Sequence, residues 1–168
     1  MTQAYAVSDA LEHDAAGFHS AVRDLVRVQG LRDRDRVAPY GVTVSGAYAL
    51  DALARLGPLS LNAVAAELFV DKSTACRIVG ALEDRGLLLR GADPADGRAI
   101  RVQLTDAGRE LNARLHEEAR WEMEAMLAGF AGDERAAALR FLRRLTRTSA
   151  QHAGARAASC CRPEAGEG

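Results

Sequence analysis

Residues 59–105, LSLNAVAAELFVDKSTACRIVGALEDRGLLLRGADPADGRAIRVQLT, decide how the chain is read. Ser60 is placed to cap a short helix running to Phe69, in which Val64, Leu68 and Phe69 supply a packing face. Asp71 then stands as the N-cap of a second helix from Lys72 to about Arg85, which Gly86 stops. At about 100° per residue, Ala75, Ile78, Val79 and Leu82 share one face, and Ser73, Arg77, Gly80 and Asp84 fall opposite. The first face packs and the second is offered. Lys72, Ser73, Thr74 and Arg77 load the offered face with hydroxyls and cations, groups that meet phosphates and base edges in a major groove.

Beyond Gly86 the pattern changes period. Leu87–Arg90 and Ile100–Leu104 are apolar or β-branched runs around Gly91, Asp93, Pro94, Asp96 and Gly97, which predicts two strands and a turn-rich tip. Arg98 sits at that tip, where a long cation suits the negative potential of a minor groove. Helix, turn, helix and hairpin in this order spell a winged helix-turn-helix. Ser60 and Arg90, at the two ends of the unit, join the candidate contacts to DNA.

The same stretch resembles the MarR family of bacterial winged-helix transcription regulators. The likeness lies in Asp71, Ser73, Thr74 and Arg77 of the second helix, and in Leu82, Arg85, Gly86 and Leu87 at its exit. It continues through Asp93, Pro94, Asp96 and Arg98 of the hairpin to Leu104, Thr105 and Gly108 at the entry to the next helix. Two residues depart from the pattern: Gly97, where many relatives carry an arginine, and Cys76, a thiol on the flank of the second helix. The resemblance implies a DNA-binding dimer whose terminal helices intertwine, and a small aromatic or phenolic effector in a cleft between those helices and the winged unit.

The flanking sequence fits such a frame. From Asp9 to about Gln29, Leu11, Ala15, Phe18, Val22, Leu25 and Val26 recur at three and four residues, with Asp9 and Glu12 spaced as a capping box. Leu31–Gly41 reads as a charged linker broken at Pro39 and Gly41. Ser45–Leu56 reads as a helix with Tyr48, Leu50, Leu53 and Leu56 on or near its buried side. After the hairpin, Thr105 caps a long helix with the stripe Leu111, Leu115, Ala119, Met123, Leu127 and Phe130, and Asp133 caps a last one carrying Ala138, Leu142 and Leu145. These helices carry more apolar surface than a small winged helix uses, which argues for a homodimer. A twofold axis would set two reading helices about 34 Å apart on an inverted repeat. The expected fold is therefore mainly α with a small β-hairpin wing (α+β), a winged helix-turn-helix plus N- and C-terminal dimerisation helices. Residues 1–41 form the N-terminal helix and linker, 42–104 the winged unit, 105–150 the C-terminal helices, and 151–168 a disordered tail.

The 168 residues make one folding unit the prior, and the net charge of −1 gives no global basic signal for nucleic acid. From Val70 to Gln103 six cations meet five acids, so DNA binding has to rest on where charges point, with Asp71 capping and Asp93 and Asp96 holding a turn. No apolar run approaches the roughly 20 residues of a membrane span, and no basic start or apolar leader opens the chain, so a cytoplasmic protein without a membrane partner is expected. Catalysis is not expected. His13, His19, His116 and His152 are scattered, no phosphate-cradling Gly-rich loop follows a strand, and no nucleophile elbow is present.

Two effector readings stay open, and no cofactor is required by either. A small aromatic ligand would be lined by Phe18, Val22, Tyr40, Tyr48, Trp121 and Met123, although an aromatic at helical spacing is more often ordinary core or interface packing. Alternatively Cys160 and Cys161, adjacent in the tail beside Arg162, would capture arsenite or a soft metal ion, with Cys76 as a third thiolate. A winged-helix protein-interaction module that has lost DNA is the remaining class, permitted by the near-neutral charge.

Overall fold

The structure, a computed structural model, describes the backbone of residues 9–92 and 100–160 and the side chains of residues 11–92 and 100–151. Contacts divide the chain into two units, Met1–Ala119 and Arg120–Gly168.

The first unit opens with α1, Asp9–Val37, followed by a 3-10 turn, Ala38–Tyr40. The segment expected as a linker is helical as far as Val37. Its three arginines are sound helix formers, and Asp33, only 8% exposed, is fully engaged: Gln29 Nε2 and Arg36 Nη1 donate to its Oδ1 at 3.1 and 3.0 Å, and Tyr48 Oη donates to its Oδ2 at 3.0 Å. Chain direction changes only at Pro39 and Gly41. Helix α2, Val44–Leu56, starts at Thr43, whose side chain accepts from Gly46 N. It buries Ala49, Leu50 and Leu53, whereas Tyr48 and Leu56, expected near its buried side, are exposed.

Helices α3, Leu61–Glu67, and α4, Lys72–Glu83, form the helix-turn-helix. Phe69 does not pack beneath α4 as expected. It sits in the turn with φ +53° and 78% of its surface exposed, holding the left-handed position that ends α3 while Val64 and Leu68 turn inward. Leaving α4, Gly86 adopts φ +70°, and Leu87 N–H closes back on Leu82 O at 3.0 Å.

The wing is wider than two strands. β2, Leu88–Ala92, pairs antiparallel with β3, Ile100–Leu104, and β3 also pairs with a two-residue strand β1, Leu59–Ser60, giving the order β1-β3-β2. The register Leu88↔Leu104 and Arg90↔Val102 turns Leu88, Val102 and Leu104 inward against Leu50, Val64 and Val79. The tip residues Asp93, Pro94, Asp96, Gly97 and Arg98 lie outside the described residues.

Helix α5, Asp106–Leu127, is locked to the sheet at its start. Thr105 Oγ1 donates to Gly86 O at 2.7 Å and accepts from Gly108 N, and Thr105 N–H reaches Leu87 O at 3.1 Å. Gly108 approaches that carbonyl so closely that a Cβ would stand 2.1 Å from it. The first turns of α5 then bury Asn112 and Leu115.

In the second unit, α5 ends and α6, Gly132–Cys160, begins. Ala131 N–H is taken by Glu134 Oε2 at 2.8 Å, so Glu134 satisfies the helix start that Asp133 was expected to cap. The helix carries through the first ten residues of the stretch expected as a disordered tail. No described side chain from Arg120 to Gln151 is buried, and Met123, Phe130, Phe141 and Leu142 are all exposed. Among the described residues no helix is long and apolar enough to cross a membrane.

Candidate nucleic-acid interface

The N-terminal end of α4 is a fixed arrangement of polar groups. Asp71 Oδ1 accepts from Thr74 N–H at 2.8 Å and from Ser73 Oγ at 2.5 Å, and its Oδ2 accepts from Thr74 Oγ1 at 2.7 Å. These bonds, Ser73's foremost and Thr74's next, hold the Asp71 carboxyl well below the usual carboxylate range. Thr74 Oγ1 in turn accepts from Arg77 Nη2 at 3.0 Å, so the cap aims the guanidinium. With Ala75, Val79 and Leu82 buried, Lys72, Ser73, Cys76 and Arg77 are left on the open side. The acid that weakened the charge count is thus the part that orders the cation and both hydroxyls.

Beside this face runs a groove of about 370 Å³, bounded by Thr74, Arg77 and Arg85 of the α4 segment and by Thr43 and Ser45 at the start of α2. Arg85 Nη2 donates to Tyr40 O at 2.7 Å, which pins the 3-10 turn against the end of α4. A concave wall offering a guanidinium, hydroxyls and the first amides of a helix suits a phosphate. Thr43 and Ser45 were not singled out from the sequence. The signal was present, since Thr43 is a favoured N-cap residue just ahead of a helical run, but nothing local shows that this start faces α4.

The other expected contacts are placed differently. Ser60 is engaged as the α3 cap, its Oγ accepting from Ala63 N at 3.2 Å. Arg90 Nε pairs with Glu83 Oε2 at 3.1 Å. That puts Arg90 against the far end of α4, about 15 Å along the helix from Ser73 at 1.5 Å per residue. Arg98 lies outside the described residues.

The residues proposed for an effector are dispersed. Tyr48 lines a cavity of about 220 Å³ together with Arg36, Asp51, Asn112, Leu115 and His116, drawn from α1, α2 and α5. Although the residue as a whole is exposed, partial desolvation of its phenol at the cavity wall, foremost, and then the bond to Asp33 raise the phenol's pKa. His116 Nε2 stands 2.7 Å from Asp51 Oδ1, and Asp51 also pairs with Arg55, which reaches Glu67 of α3 at 3.5 Å. Tyr40 is outside this wall: its hydroxyl bonds to Glu118, which raises its pKa, and Arg114 lies 5.8 Å over its ring. Phe18 and Val22 lie on α1 away from the lining, and Trp121 and Met123 belong to the second unit.

Of the cysteines, Cys76 is exposed on α4 and Cys160 is the last residue of α6; Cys161 lies outside the described residues. Among the described residues no three His, Cys, Asp or Glu side chains are grouped as a metal site.

Three helices, a reading helix with an open polar face and an antiparallel wing define a winged helix-turn-helix, a DNA-reading class. The sequence model of the MarR family matches residues 40–99. A Thauera aromatica protein assigned as a transcriptional regulator for the hcr operon is 29% identical over 111 residues, 66% of this chain and 67% of that protein. A MarR family protein from Bacillus stearothermophilus superposes with TM-score 0.75 at 22% identity, covering 82% of this chain and 96% of that one. BpsR of Bordetella bronchiseptica, whose structure concerns regulation of DNA binding by 6-hydroxynicotinic acid, superposes with TM-score 0.65 at 26% identity, covering 76% and 91%. The chain belongs to the MarR family and is a DNA-binding transcription regulator of that type.

Proposed function

We propose that this protein is a homodimeric repressor that holds an inverted-repeat operator and lets it go when a small ring acid enters the cavity beside Tyr48. The observation that carries the reading is the pre-set end of α4, where Asp71 orders Ser73, Thr74 and Arg77 on an exposed face next to a groove bounded by Thr43, Ser45 and Arg85. Arg77 and the start of α2 position the duplex, and Ser73 and Thr74 meet base edges. Support for a dimer comes from apolar surface that the chain leaves open. On α1, Leu11, Phe18 and Leu25 recur every seven residues and are all exposed, as are Met126, Phe130 and Leu142 in the second unit. Such stripes are covered by a second copy of the same helices.

The effector cavity offers Arg36, His116 and Asn112 to a carboxylate and Tyr48 and Leu115 to a ring. A ligand carboxylate competes with Asp51 for His116, and with Asp33 for Arg36. The exchange at His116 loosens the tie between α2 and α5, and through Asp51, Arg55 and Glu67 reaches α3.

Selection of duplexes from a random pool by the full chain tests this reading. The expected product is an inverted repeat with half-sites one helical turn apart, bound less tightly in the presence of a one-ring carboxylic acid such as 6-hydroxynicotinic acid. Arg36→Ala should abolish that response while leaving DNA affinity intact. Enrichment of a single asymmetric motif would overturn the dimer. Indifference to every acid in a panel would overturn the assigned effector.

A further inference from the structure

Ser73 has one proton and it is already committed. Its Oγ lies 2.5 Å from Asp71 Oδ1, and an ionised carboxylate can only accept, so the serine is the donor in that bond. Thr74 is committed in the same way, and its oxygen additionally receives Arg77. Turning Ser73 around to donate elsewhere breaks a charge-assisted hydrogen bond, the stronger kind, on a carboxylate that is also capping the helix. What Ser73 presents outward is therefore lone pairs.

We infer that Asp71 fixes Ser73 as an obligate hydrogen-bond acceptor on the reading face, so that the base beneath it must carry an exocyclic amino group. This rests on the reading of α4 as the DNA-contacting helix. In the major groove adenine shows N6–H₂ and cytosine N4–H₂, whereas guanine and thymine show acceptors at O6 and O4. Every base pair holds one amino base and one keto base. Ser73 thus reports which strand carries the amino group, accepting A or C and rejecting G or T. That selection cuts across the usual division between A·T and G·C pairs. The rejection is active, because lone pairs would face lone pairs with neither side able to donate. Asp71 is a positioning residue here: it touches no base and acts through the serine.

The test compares the full chain with Ser73→Ala in selection from random duplexes, followed by affinity measurements on the selected site. The wild type should show a position restricted to A or C on one strand, and Ser73→Ala should lose that restriction while still binding DNA. At an adenine, replacement by purine, which lacks only the N6 amino group, should weaken the wild type about fivefold or more. The same replacement should leave Ser73→Ala unchanged. Asp71→Ala, its folding verified by circular dichroism, frees the proton and should admit G or T at that position. A responding position that prefers G or T, or a purine effect identical in the two proteins, would overturn the inference. Absence of binding to any duplex would instead overturn the DNA-reading role of α4 itself.

Discussion

Replacing Gly108 by alanine should destabilise the winged unit, and the structure sets the size of the effect. The added Cβ would lie 2.1 Å from Leu87 O, 3.1 Å from Leu87 C and 3.2 Å from Leu104 Cδ2. Carbon and carbonyl oxygen ordinarily meet at about 3.3 Å or more, so the sheet and the start of α5 must separate by roughly 1 Å. Overpacking of this kind costs about 1–3 kcal/mol. The same carbonyl accepts Thr105 N–H at 3.1 Å, and loosening that bond adds about 1 kcal/mol. Alanine's better helix propensity returns at most about 1 kcal/mol. A net loss of about 1–3 kcal/mol should appear as a lower urea midpoint, followed by circular dichroism at fixed protein concentration. Gly80→Ala is the matched control. It lies inside α4 with nothing within 4 Å of the new methyl, and should raise the stability by about 0.5–1 kcal/mol and with it the midpoint. Equal or higher stability for Gly108→Ala would refute the close approach of α5 to the wing.

Further outcomes follow from single residues. Phe69→Gly should raise the melting temperature, since the left-handed backbone costs a bulky residue roughly 1 kcal/mol and the ring buries little; an unchanged or lower temperature counts against it. Asp71 has a lower pKa folded than unfolded, so its stabilisation is complete above the ordinary carboxylate range near pH 4 and is lost as pH falls through the depressed value. The stability gap between wild type and Asp71→Asn should accordingly be constant at neutral pH and close on acidification, and a gap that widens would contradict the sign. Leu25→Asp, on the exposed stripe of α1, should give a monomer by light scattering with helical content retained; a persistent dimer would remove α1 from the interface.

The reading unit was legible because its signals are local. Asp71 capping, Gly86 stopping and the Ala75, Val79, Leu82 face all depend on neighbours within a turn or two, and each appears in the structure as the sequence predicts. What escaped depends on distant partners. β1 is two residues long, too short to show an alternation, and exists because Leu59 and Ser60 meet Val102 and Arg101. The run from Leu31 to Val37 looked like a linker because its charges had no visible purpose, yet Asp33 is buried against Tyr48 fifteen residues on. Tyr48 lines a cavity, but its companions there, Arg36, Asn112 and His116, come from helices far apart in sequence. The sequence places the Ser73 and Thr74 hydroxyls on the offered face without showing which way they bond; only the distances to Asp71 show that their protons are spent.

The central claim is that α4 and its groove hold DNA by phosphate contacts and choose a site by base contacts. It is tested most directly by fluorescence anisotropy of the full chain on its selected inverted repeat and on a scrambled duplex, at 50 and 200 mM salt. Affinity for both should fall steeply with salt, by about 10³-fold or more for a dimer making six or more phosphate contacts. The selected site should be bound about 10³-fold or more tightly than the scrambled one. Arg77→Ala should weaken both duplexes by a similar factor, whereas Ser73→Ala should erode the preference. Equal affinity for the two duplexes, or affinity indifferent to salt, would contradict the account.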